Sequence, residues 1–476
     1  MYISTRSDEK LTASQAILKG LASDGGLFIP EFFPTINFDE TWAKKSYQEI
    51  AKEVFKLFLD DYTDEEIEYC VSSAYDKTNF EESMVGFKTF GDLSFLELYK
   101  GPTLAFKDMA LTILPYLIEV AKKKNKVTDK SLILVATSGD TGGAALSSFM
   151  KSGTFDTVVL YPYKGVSEIQ EKQMLYYTDE RTKAFAIEGN FDDCQNFVKS
   201  IFNVYPKDSG VLISSANSIN IGRLVPQIIY YVYSYFRGVE SGWLKFGESF
   251  DICVPTGNFG DIFAGYIAKQ LGVPINKLIC ASNVNNVLTD FFETGVYDKK
   301  RQFKKSNSPA MDILVSSNLE RLVYLATGRN GSRVKELMKD LGEKGQYLLN
   351  DKERAFMSDF VGLYADEKQT LKSIEMAFNE YKYLIDPHTA VAYYCYNNLN
   401  KGNKTLIVST ASPYKFPSTI AIALGLDSTK SEFEIIKDIA LHTNTTVPTG
   451  IAKLQASEKQ TILKTTKQIE DIVYYR

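Results

Sequence analysis

Apolar runs of strand length alternate with helical segments along most of the chain from residue 131 onward. The runs are SLILVAT, DTVVLYP, KAFAIEG, VLISSAN, FDICVP, NKLICASN and KTLIVSTA. Continuously apolar strands separated by helices are typical of parallel sheets that are covered by helices on both faces. The chain is therefore predicted to have an α/β fold, in which ligands bind at the carboxyl ends of the strands.

Segments outside this alternation carry their own predictions. The apolar spacing of SQAILKGL and TDEEIEYCVSSAYD predicts helices, and the glycines and prolines of SDGGLFIPEFFP predict a loop between them. We expect the charged, helix-rich residues 340–385 to form an insertion or an outer layer, and the tail SEKQTILKTTKQIEDIVYY to form a surface helix. Pro115 falls in the helix expected after Lys107 and should kink or end it.

The bulk properties exclude several classes of function. A net charge of −5 gives no electrostatic footprint for nucleic acid. The start MYISTRSDEK lacks the apolar segment of a secretory signal, and no apolar run reaches the ~20 residues that span a bilayer. The five cysteines are scattered without a CxxC pair, which argues against a zinc site. We therefore expect a cytoplasmic protein that binds neither nucleic acid, membrane nor metal.

Only two histidines are present, His388 and His442. A Ser-His-Asp or Cys-His hydrolase is disfavoured, although one histidine is enough for such a site. His388 in DPHTAVAYY is expected to cap or pack a helix start. Acid–base chemistry is then expected from a lysine, a carboxylate, a cofactor or a substrate group.

Lys107 stands among apolar residues in the segment GPTLAFKDMA. One interpretation is a surface lysine whose stem covers apolar neighbours while its ammonium stays in water. The other is a buried amine, because an apolar pocket disfavours the charged form and leaves a nucleophile.

Two turns have the composition of anion-binding loops. In PTGNFGD, Gly257 and Gly260 follow a strand and precede a helix, so main-chain N–H groups can approach an anion. The loop lacks the GK[ST] of a Walker A motif and the glycine spacing of a dinucleotide fingerprint. In ATSGDTGGAAL, Ser138, Asp140 and Thr141 precede a helix. The alternatives are an ordinary strand–helix turn for the first loop and a helix cap for the second.

Two further strand ends carry polar groups. SSANSINIGRL offers Asn217, Ser218 and Asn220 before Arg223, whose planar guanidinium suits a phosphate, although a capped helix start explains it too. LIVSTASPYKF ends a strand with Ser409 and Thr410, and a hydroxyl there is often structural. Together, a buried lysine, a glycine loop and a strand-end hydroxyl match the needs of pyridoxal 5'-phosphate: an amine for its aldehyde, a cradle for its phosphate and a partner for its pyridine nitrogen.

The four segments GPTLAFKDMA, ATSGDTGGAAL, PTGNFGD and STASPYKF, in this order, resemble threonine synthases, a family of fold-type II pyridoxal-phosphate enzymes. YISTR, GLASDGGLFIP and ASNVNN match that family as well. The resemblance implies a tryptophan-synthase-β-like fold with two parallel-sheet α/β domains and an added amino-terminal region. On this basis we expect the amino-terminal region over residues 1–95, a smaller domain over 96–240 and a larger domain over 241–476.

The resemblance also implies the roles of individual residues. Lys107 is the Schiff-base lysine, and Thr410 meets the pyridine nitrogen. Asp140 contacts the cofactor ring, although one branch of the family has asparagine there. The residues implied for the cofactor phosphate are Gly257, Asn258, Phe259, Gly260 and Asp261. The residues implied for substrate binding are Ser138, Thr141, Lys164, Asn217, Ser218 and Arg223.

The resemblance implies conversion of O-phospho-L-homoserine and water to L-threonine and phosphate, by a monomer or homodimer. Two related alternatives are a phospho-lyase that stops at 2-oxobutyrate and ammonia, and a dehydratase of threonine or serine. The second set of anion-binding residues favours a phosphorylated substrate. An alternative from another class is a phosphate-ligand-binding α/β protein without chemistry.

Overall fold

The computed structural model of the chain describes residues 1–80, 83–204, 210–399 and 402–474. Its first part consists of β1 (Tyr2–Ser4), β2 (Lys10–Leu11), α1 (Ala13–Lys19), β3 (Phe28–Pro30), α2 (Tyr47–Phe58) and α3 (Asp64–Ala74). The two predicted helices are confirmed as α1 and α3. The loop prediction for residues 23–34 is wrong at β3, which pairs with β1 in an antiparallel sheet and so buries Phe28 and Ile29.

The segment that carries Lys107 follows. It contains β4 (Gly86–Phe90), β5 (Leu93–Glu97), α4 (Asp108–Leu111) and α5 (Leu114–Lys124). Pro115 lies in the first turn of α5, a position where its missing N–H removes no helical hydrogen bond. The expected single helix is therefore two helices, with α4 ending at Leu111.

The smaller sheet is built from alternating strands and helices. These are β6 (Lys130–Ala136), α6 (Asp140–Ser152), β7 (Asp156–Pro162), α7 (Glu168–Tyr176), β8 (Thr182–Ile187), α8 (Phe191–Val204), β9 (Val211–Ser214) and α9 (Ile221–Glu240). The strand order is β8-β7-β6-β9, and all neighbours are parallel. The α/β prediction is confirmed for this part of the chain.

The larger sheet has six strands. The remaining elements are β10 (Phe250–Pro255), α10 (Gly260–Leu271), β11 (Ile275–Ser282), α11 (Val287–Thr294), β12 (Val296–Asp298), α12 (Leu319–Ala326), α13 (Gly331–Glu343), β13 (Gln346–Leu348), α14 (Asp351–Phe356), β14 (Phe360–Tyr364), α15 (Glu367–Tyr381), α16 (Pro387–Asn397), β15 (Thr405–Ser409), α17 (Pro417–Leu424), α18 (Glu432–Thr443), α19 (Thr449–Gln455) and α20 (Thr466–Tyr474). The order is β14-β11-β10-β15-β5-β4, and only the pair β4–β5 is antiparallel.

One sequence prediction needs correction here. Residues 340–385 do not form only an outer layer, because β14 pairs with β11 at the edge of the larger sheet. The surface helix predicted for the tail is present over α20: Ile469 and Val473 pack against the smaller sheet, while Thr466, Lys467, Gln468 and Asp471 are exposed. The domain boundaries at 95 and 240 stay predictions; β5 runs through the first of them and pairs with β15 in the larger sheet.

Helix α9 follows the last strand of the smaller sheet and leads to β10 of the larger sheet. It is buried along most of its length and packs against α2, α4 and α10. The chain leaves β5, β6, β9, β10 and β15 through the loops that carry the predicted functional residues. Since ligands bind at the carboxyl ends of parallel strands, the topology brings these loops toward one site.

Candidate active site

Lys107 lies between β5 and α4, in a loop that is bonded to the end of β15. The N–H of Phe106 donates to the carbonyl oxygen of Thr410 at 2.7 Å, and Ala105 forms an isolated bridge with Ala411. The side chain of Lys107 is only 13% exposed. A surface lysine is therefore excluded, and the amine lies inside the protein.

The surroundings of Lys107 lower the pKa of its amine. Burial removes the hydration that favours the ammonium; Asp140 and Asp108 oppose this effect, while Lys415 and Arg223 add further positive charge. The ammonium also lies 4.7 Å from the centre of the Phe106 ring. The lowered pKa makes the neutral amine, which is the nucleophilic form, easier to reach than for a lysine in water.

Asp140 at the start of α6 connects Lys107 to a second buried lysine. Its Oδ1 accepts hydrogen bonds from Gln170 at 3.0 Å and lies 3.0 Å from Nζ of Lys415, while its Oδ2 is 3.8 Å from Nζ of Lys107. Burial alone favours the neutral acid, but the two ammonium groups hold the pKa of Asp140 well below its usual range. The carboxylate is charged and faces cations, as its repulsion of anions requires.

Lys415 was not singled out by the sequence analysis. It is fully buried, and its segment SPYKF carried the same signal as that of Lys107, a lysine among apolar residues. It lies just before α17, in the loop that follows β15 and Thr410.

The turn before α6 is shaped by Thr137 and Gly139. Oγ1 of Thr137 accepts hydrogen bonds from the N–H groups of Gly139 at 3.0 Å and Gly142 at 2.9 Å, so Thr137 caps the helix rather than Asp140 or Thr141. Gly139 has φ +139°, and a Cβ there would meet the side chain of Gln170 at 2.5 Å. Ser138 and Thr141 are half-buried on either side of this turn.

The glycine loop between β10 and α10 has the features of an anion site. The N–H groups of residues 257–261 have no acceptor within the described part of the chain. A Cβ at Gly257 would lie 2.7 Å from the carbonyl oxygen of Ala310, so the loop and its neighbour are in close contact. Phe259, which precedes the helix, has φ +66° and is buried. Such strained non-glycine residues concentrate at functional sites.

Residues that the sequence analysis missed hold this loop in place. Asn318 donates to the carbonyl oxygen of Asn258 through its main-chain N–H at 3.0 Å and its side chain at 2.8 Å. Ser316 donates to the carbonyl oxygen of Gly257 at 2.7 Å. His388 accepts from the N–H of Ala310 at 3.2 Å, which is a packing role as expected.

Asp261 in the first turn of α10 is held by two tyrosines of α9. Its Oδ1 accepts hydrogen bonds from Tyr230 at 2.5 Å and Tyr231 at 2.6 Å, while its Oδ2 is buried without a partner. Burial raises the pKa of Asp261 to about 6, although both tyrosines and the charge of Lys107 oppose the shift. The carboxyl group of Asp261 therefore keeps its proton to a higher pH than an ordinary aspartate does.

Arg223 places a buried guanidinium close to Lys107. Its Nη1 donates to the carbonyl oxygen of Ala216, and its Nε is buried without a partner. Burial lowers the pKa of Arg223 to about 10, so it remains charged at neutral pH. Its positive charge contributes to the lowered pKa of Lys107.

The other residues predicted for substrate binding have fewer contacts with Lys107 and the glycine loop. Ser218 lies 3.4 Å from the Asn318 side chain that bonds the glycine loop. Asn217 is exposed at the end of the β9 loop. Lys164 lies in the exposed loop after β7, 5.3 Å from the ring of Tyr163. Asn220 caps α9 and bonds the carbonyl oxygen of Ile17, so its role is structural.

These residues fit pyridoxal 5'-phosphate. Lys107 offers a buried amine with a lowered pKa, and the glycine loop offers free N–H groups at a helix start for a phosphate. The hydroxyl of Thr410 has no hydrogen-bond partner among the described residues and is available to the pyridine nitrogen. Among those residues there is no cluster of metal-binding side chains and no helix long and apolar enough to cross a membrane.

Comparison with known proteins agrees with this site. A family model described as "Threonine synthase N terminus" matches residues 1–75, and one described as "Pyridoxal-phosphate dependent enzyme" matches residues 91–411. The threonine synthase of Eremothecium gossypii is 38% identical, with 89% of each chain covered. That of Pseudomonas aeruginosa is 36% identical, over 96% of this chain and 98% of the relative.

The solved structures extend the likeness to the fold. The crystal structure of pyridoxal-phosphate-bound threonine synthase from Brucella melitensis has a TM-score of 0.88 and 33% identity, covering 100% of this chain and 98% of that one. The chain is thus a pyridoxal-phosphate-dependent lyase of fold type II, and the predicted fold class and cofactor are confirmed. Within that class, the chain belongs to the threonine synthase family.

Proposed function

We propose that this enzyme converts O-phospho-L-homoserine and water into L-threonine and phosphate. The observation that carries the proposal is a buried cation, Arg223, whose charge acts on the buried amine of Lys107, in addition to a glycine loop with free N–H groups for a separate phosphate. Such a site holds two anionic groups at once, one on the cofactor and one on the substrate. A dehydratase substrate without a phosphate would leave the second cation without a partner.

The cofactor is held by residues of three loops. Lys107 would bind its aldehyde carbon through Nζ, and the N–H groups of Gly257, Asn258, Phe259, Gly260 and Asp261 would bind its phosphate. Thr410 would hydrogen-bond the pyridine nitrogen, and Asp140 would contact the ring. When bound, pyridoxal phosphate supplies an electrophilic aldehyde and a ring that delocalises the electrons left by proton removal.

Lys107 would have two tasks. Its Nζ would hold the aldehyde of the cofactor, and once the substrate amine has replaced it there, the free amine would take the proton from the α-carbon of the substrate. The second task requires the neutral form, which burial favours. The charge of Asp140, 3.8 Å away, stabilises the ammonium that forms after each proton transfer.

The substrate is positioned by the loops at the ends of β6, β7 and β9. Arg223 provides a bidentate group for the substrate phosphate. The other residues assigned to the substrate carboxylate and phosphate are Ser138, Thr141, Lys164, Asn217 and Ser218. The phosphate released from the γ-carbon has a pKa close to neutrality and can carry a proton while it remains bound. An acid–base role for the released phosphate fits this site, because none of the residues assigned to the substrate is a histidine.

A product assay tests the proposal. The purified enzyme with cofactor is incubated with O-phospho-L-homoserine, and threonine, phosphate, 2-oxobutyrate and ammonia are quantified. We expect threonine and phosphate in equal amounts. Equal amounts of 2-oxobutyrate, ammonia and phosphate would identify a phospho-lyase, and turnover of threonine or serine alone would identify a dehydratase. Bound ligand without turnover would identify a binding protein.

We also propose a cytoplasmic location, a monomeric or homodimeric state, and domain boundaries near residues 95 and 240. All five cysteines are free and buried, as is usual in a reducing compartment. Cell fractionation, analytical ultracentrifugation and limited proteolysis measure the three properties in turn.

A further inference from the structure

The buried ammonium of Lys415 takes part in none of the steps above. We propose that Lys415 is a positioning residue that balances the charge of Asp140, so that Asp140 does not hold Lys107 as an ammonium. The inference rests on the proposed function in one respect, the role of Lys107 as the amine that binds the cofactor.

The ammonium of Lys415 is held by two hydrogen bonds and an ion pair. Its Nζ donates to the carbonyl oxygen of Thr103 at 2.6 Å and to Oε1 of Gln173 at 2.8 Å, and it lies 3.0 Å from Oδ1 of Asp140. The side chain has no exposed surface. These contacts with three different groups hold the cation in one position inside the protein.

The two oxygens of Asp140 are used unequally. Oδ1 is bound by Lys415 and Gln170, whereas Oδ2 lies 3.8 Å from Lys107, beyond hydrogen-bond distance. Asp140 is the strongest charge acting on Lys107, and Lys415 opposes its effect. Without Lys415, the same carboxylate would have Lys107 as its nearest cation, and a buried pair of that kind strongly favours the ammonium.

Other charges surround the pair, and none replaces Lys415. Asp108 is buried and bonded to the N–H and hydroxyl of Thr103. The charged and titratable groups that act on Lys107 or Asp140 from neighbouring elements are Asp108 of α4, Arg223 of α9, Asp261 of α10 and His388 of α16. Among all of these groups, Lys415 has the shortest distance to Asp140, and it acts on Lys107 in the direction that favours the neutral amine.

The Asp140–Lys415 pair has no net charge, as two neutral side chains would have. Replacing one member or both therefore separates the effect of each charge on Lys107. The variants are Lys415→Met, Lys415→Arg, Asp140→Asn and the double variant Asp140→Asn/Lys415→Met. In each full-length protein with its cofactor removed, the rate at which acetic anhydride modifies Lys107 is measured against pH by mass spectrometry. The exposed Lys339 in the same sample is the internal standard.

The expected shifts have definite signs. Lys415→Met should raise the apparent pKa of Lys107 by about one pH unit or more, because an opposite charge within ~4–6 Å then acts without compensation. Asp140→Asn should lower it, because Lys415 is then uncompensated. The double variant and Lys415→Arg should both return it close to the value of the parent protein. In the loaded enzymes, the pH at which the cofactor absorbance changes should move in the same order.

Several results would overturn the inference. A folded Lys415→Met protein in which the apparent pKa of Lys107 is unchanged would do so. A double variant with the same raised pKa as Lys415→Met would do so too. If Lys415→Met does not fold, the Asp140→Asn variant decides. An unchanged apparent pKa of Lys107 in that variant would contradict the inference that Asp140 and Lys415 offset each other. A failure of the proposed function is separate: it appears when borohydride links the cofactor to a residue other than Lys107, whatever the acetylation profile.

Discussion

The main-chain N–H of Phe106 donates a 2.7 Å hydrogen bond to the carbonyl oxygen of Thr410. This bond and the bridge between Ala105 and Ala411 join the loop that carries Lys107 to the end of β15. The amine predicted to bind the cofactor aldehyde and the hydroxyl predicted to meet its pyridine nitrogen are therefore fixed to each other by main chain. The smaller sheet lies between these two residues in the sequence, but the main-chain contacts hold their backbones together directly.

Thr410→Val removes the hydroxyl and keeps the shape of the side chain and the main-chain bond. We expect the cofactor to bind about tenfold more weakly, since a lost hydrogen bond to a buried polar partner costs roughly 1–2 kcal/mol. Cofactor titration followed by absorbance measures the change. Thr410→Ser, which retains a hydroxyl, is the matched control and should stay near the parent value. Equal affinities for the valine variant and the parent would contradict the assignment.

Gly257→Ala places a Cβ 2.7 Å from the carbonyl oxygen of Ala310, so the glycine loop must move. Because that loop is predicted to bind the cofactor phosphate through main-chain N–H groups, we expect cofactor affinity to fall about tenfold or more. The control is Gly342→Ala in α13, where an added Cβ meets nothing within 4 Å. That variant should bind cofactor normally and be more stable by about 0.5–1 kcal/mol. A normal affinity for Gly257→Ala would exclude the loop as the phosphate site.

Asp261→Asn should change how stability depends on pH. Burial raises the pKa of Asp261 to about 6, above the ~3.9 of an unfolded aspartate, so the native state binds the extra proton. The contribution of this group is therefore fully present below about pH 4 and is lost as pH rises through 6. Asparagine does not titrate and keeps Oδ1 for Tyr230 and Tyr231.

Urea unfolding of the cofactor-free proteins measures this effect. The stability of Asp261→Asn relative to the parent should increase between pH 4 and pH 7, by up to ~3 kcal/mol. Other carboxyl groups, such as that of Asp108, are common to both proteins and cancel in the difference. A difference that is constant over this range would show that Asp261 has an ordinary pKa.

Thr137→Val removes the oxygen that accepts hydrogen bonds from Gly139 and Gly142 at the start of α6. We expect a loss of about 1–2 kcal/mol in the free energy of unfolding, the usual size for a lost helix cap. Thr137→Ser should lose much less, because it retains the acceptor. Since Asp140 begins the same helix, the valine variant should also bind cofactor more weakly. Unchanged unfolding would mean that water satisfies these N–H groups equally well.

Much of the fold follows from local patterns in the sequence. The apolar runs of the two sheets lie within three residues of the observed strands at each end, because a strand that is buried on both faces has no polar positions to obscure it. Phe360–Tyr364 escaped detection because it is an edge strand, partly exposed and set among charged helices. Likewise, the buried face of α20 depends on distant strands that its own sequence does not reveal.

The candidate site could be predicted only in part. Lys107 was identifiable because a charged residue contradicted its apolar segment, and Gly257 because glycines interrupted a strand–helix transition. Lys415 gave the same signal as Lys107, but its contact with Asp140 joins segments far apart in the chain. The supports of the glycine loop, Asn318 and Ser316, lie in an irregular segment with no recognisable pattern. Their role follows from hydrogen bonds to main-chain carbonyls, which sequence alone does not specify.

The most direct measurement concerns the amine itself. The enzyme loaded with pyridoxal phosphate is reduced with borohydride, digested, and analysed by mass spectrometry. We predict that the cofactor is found on Lys107, in the peptide containing GPTLAFKDMA, and that Lys107→Ala gives a folded protein without the chromophore or threonine production. A cofactor attached to Lys415 or to any other lysine, or threonine production by the Lys107→Ala variant, would contradict the account.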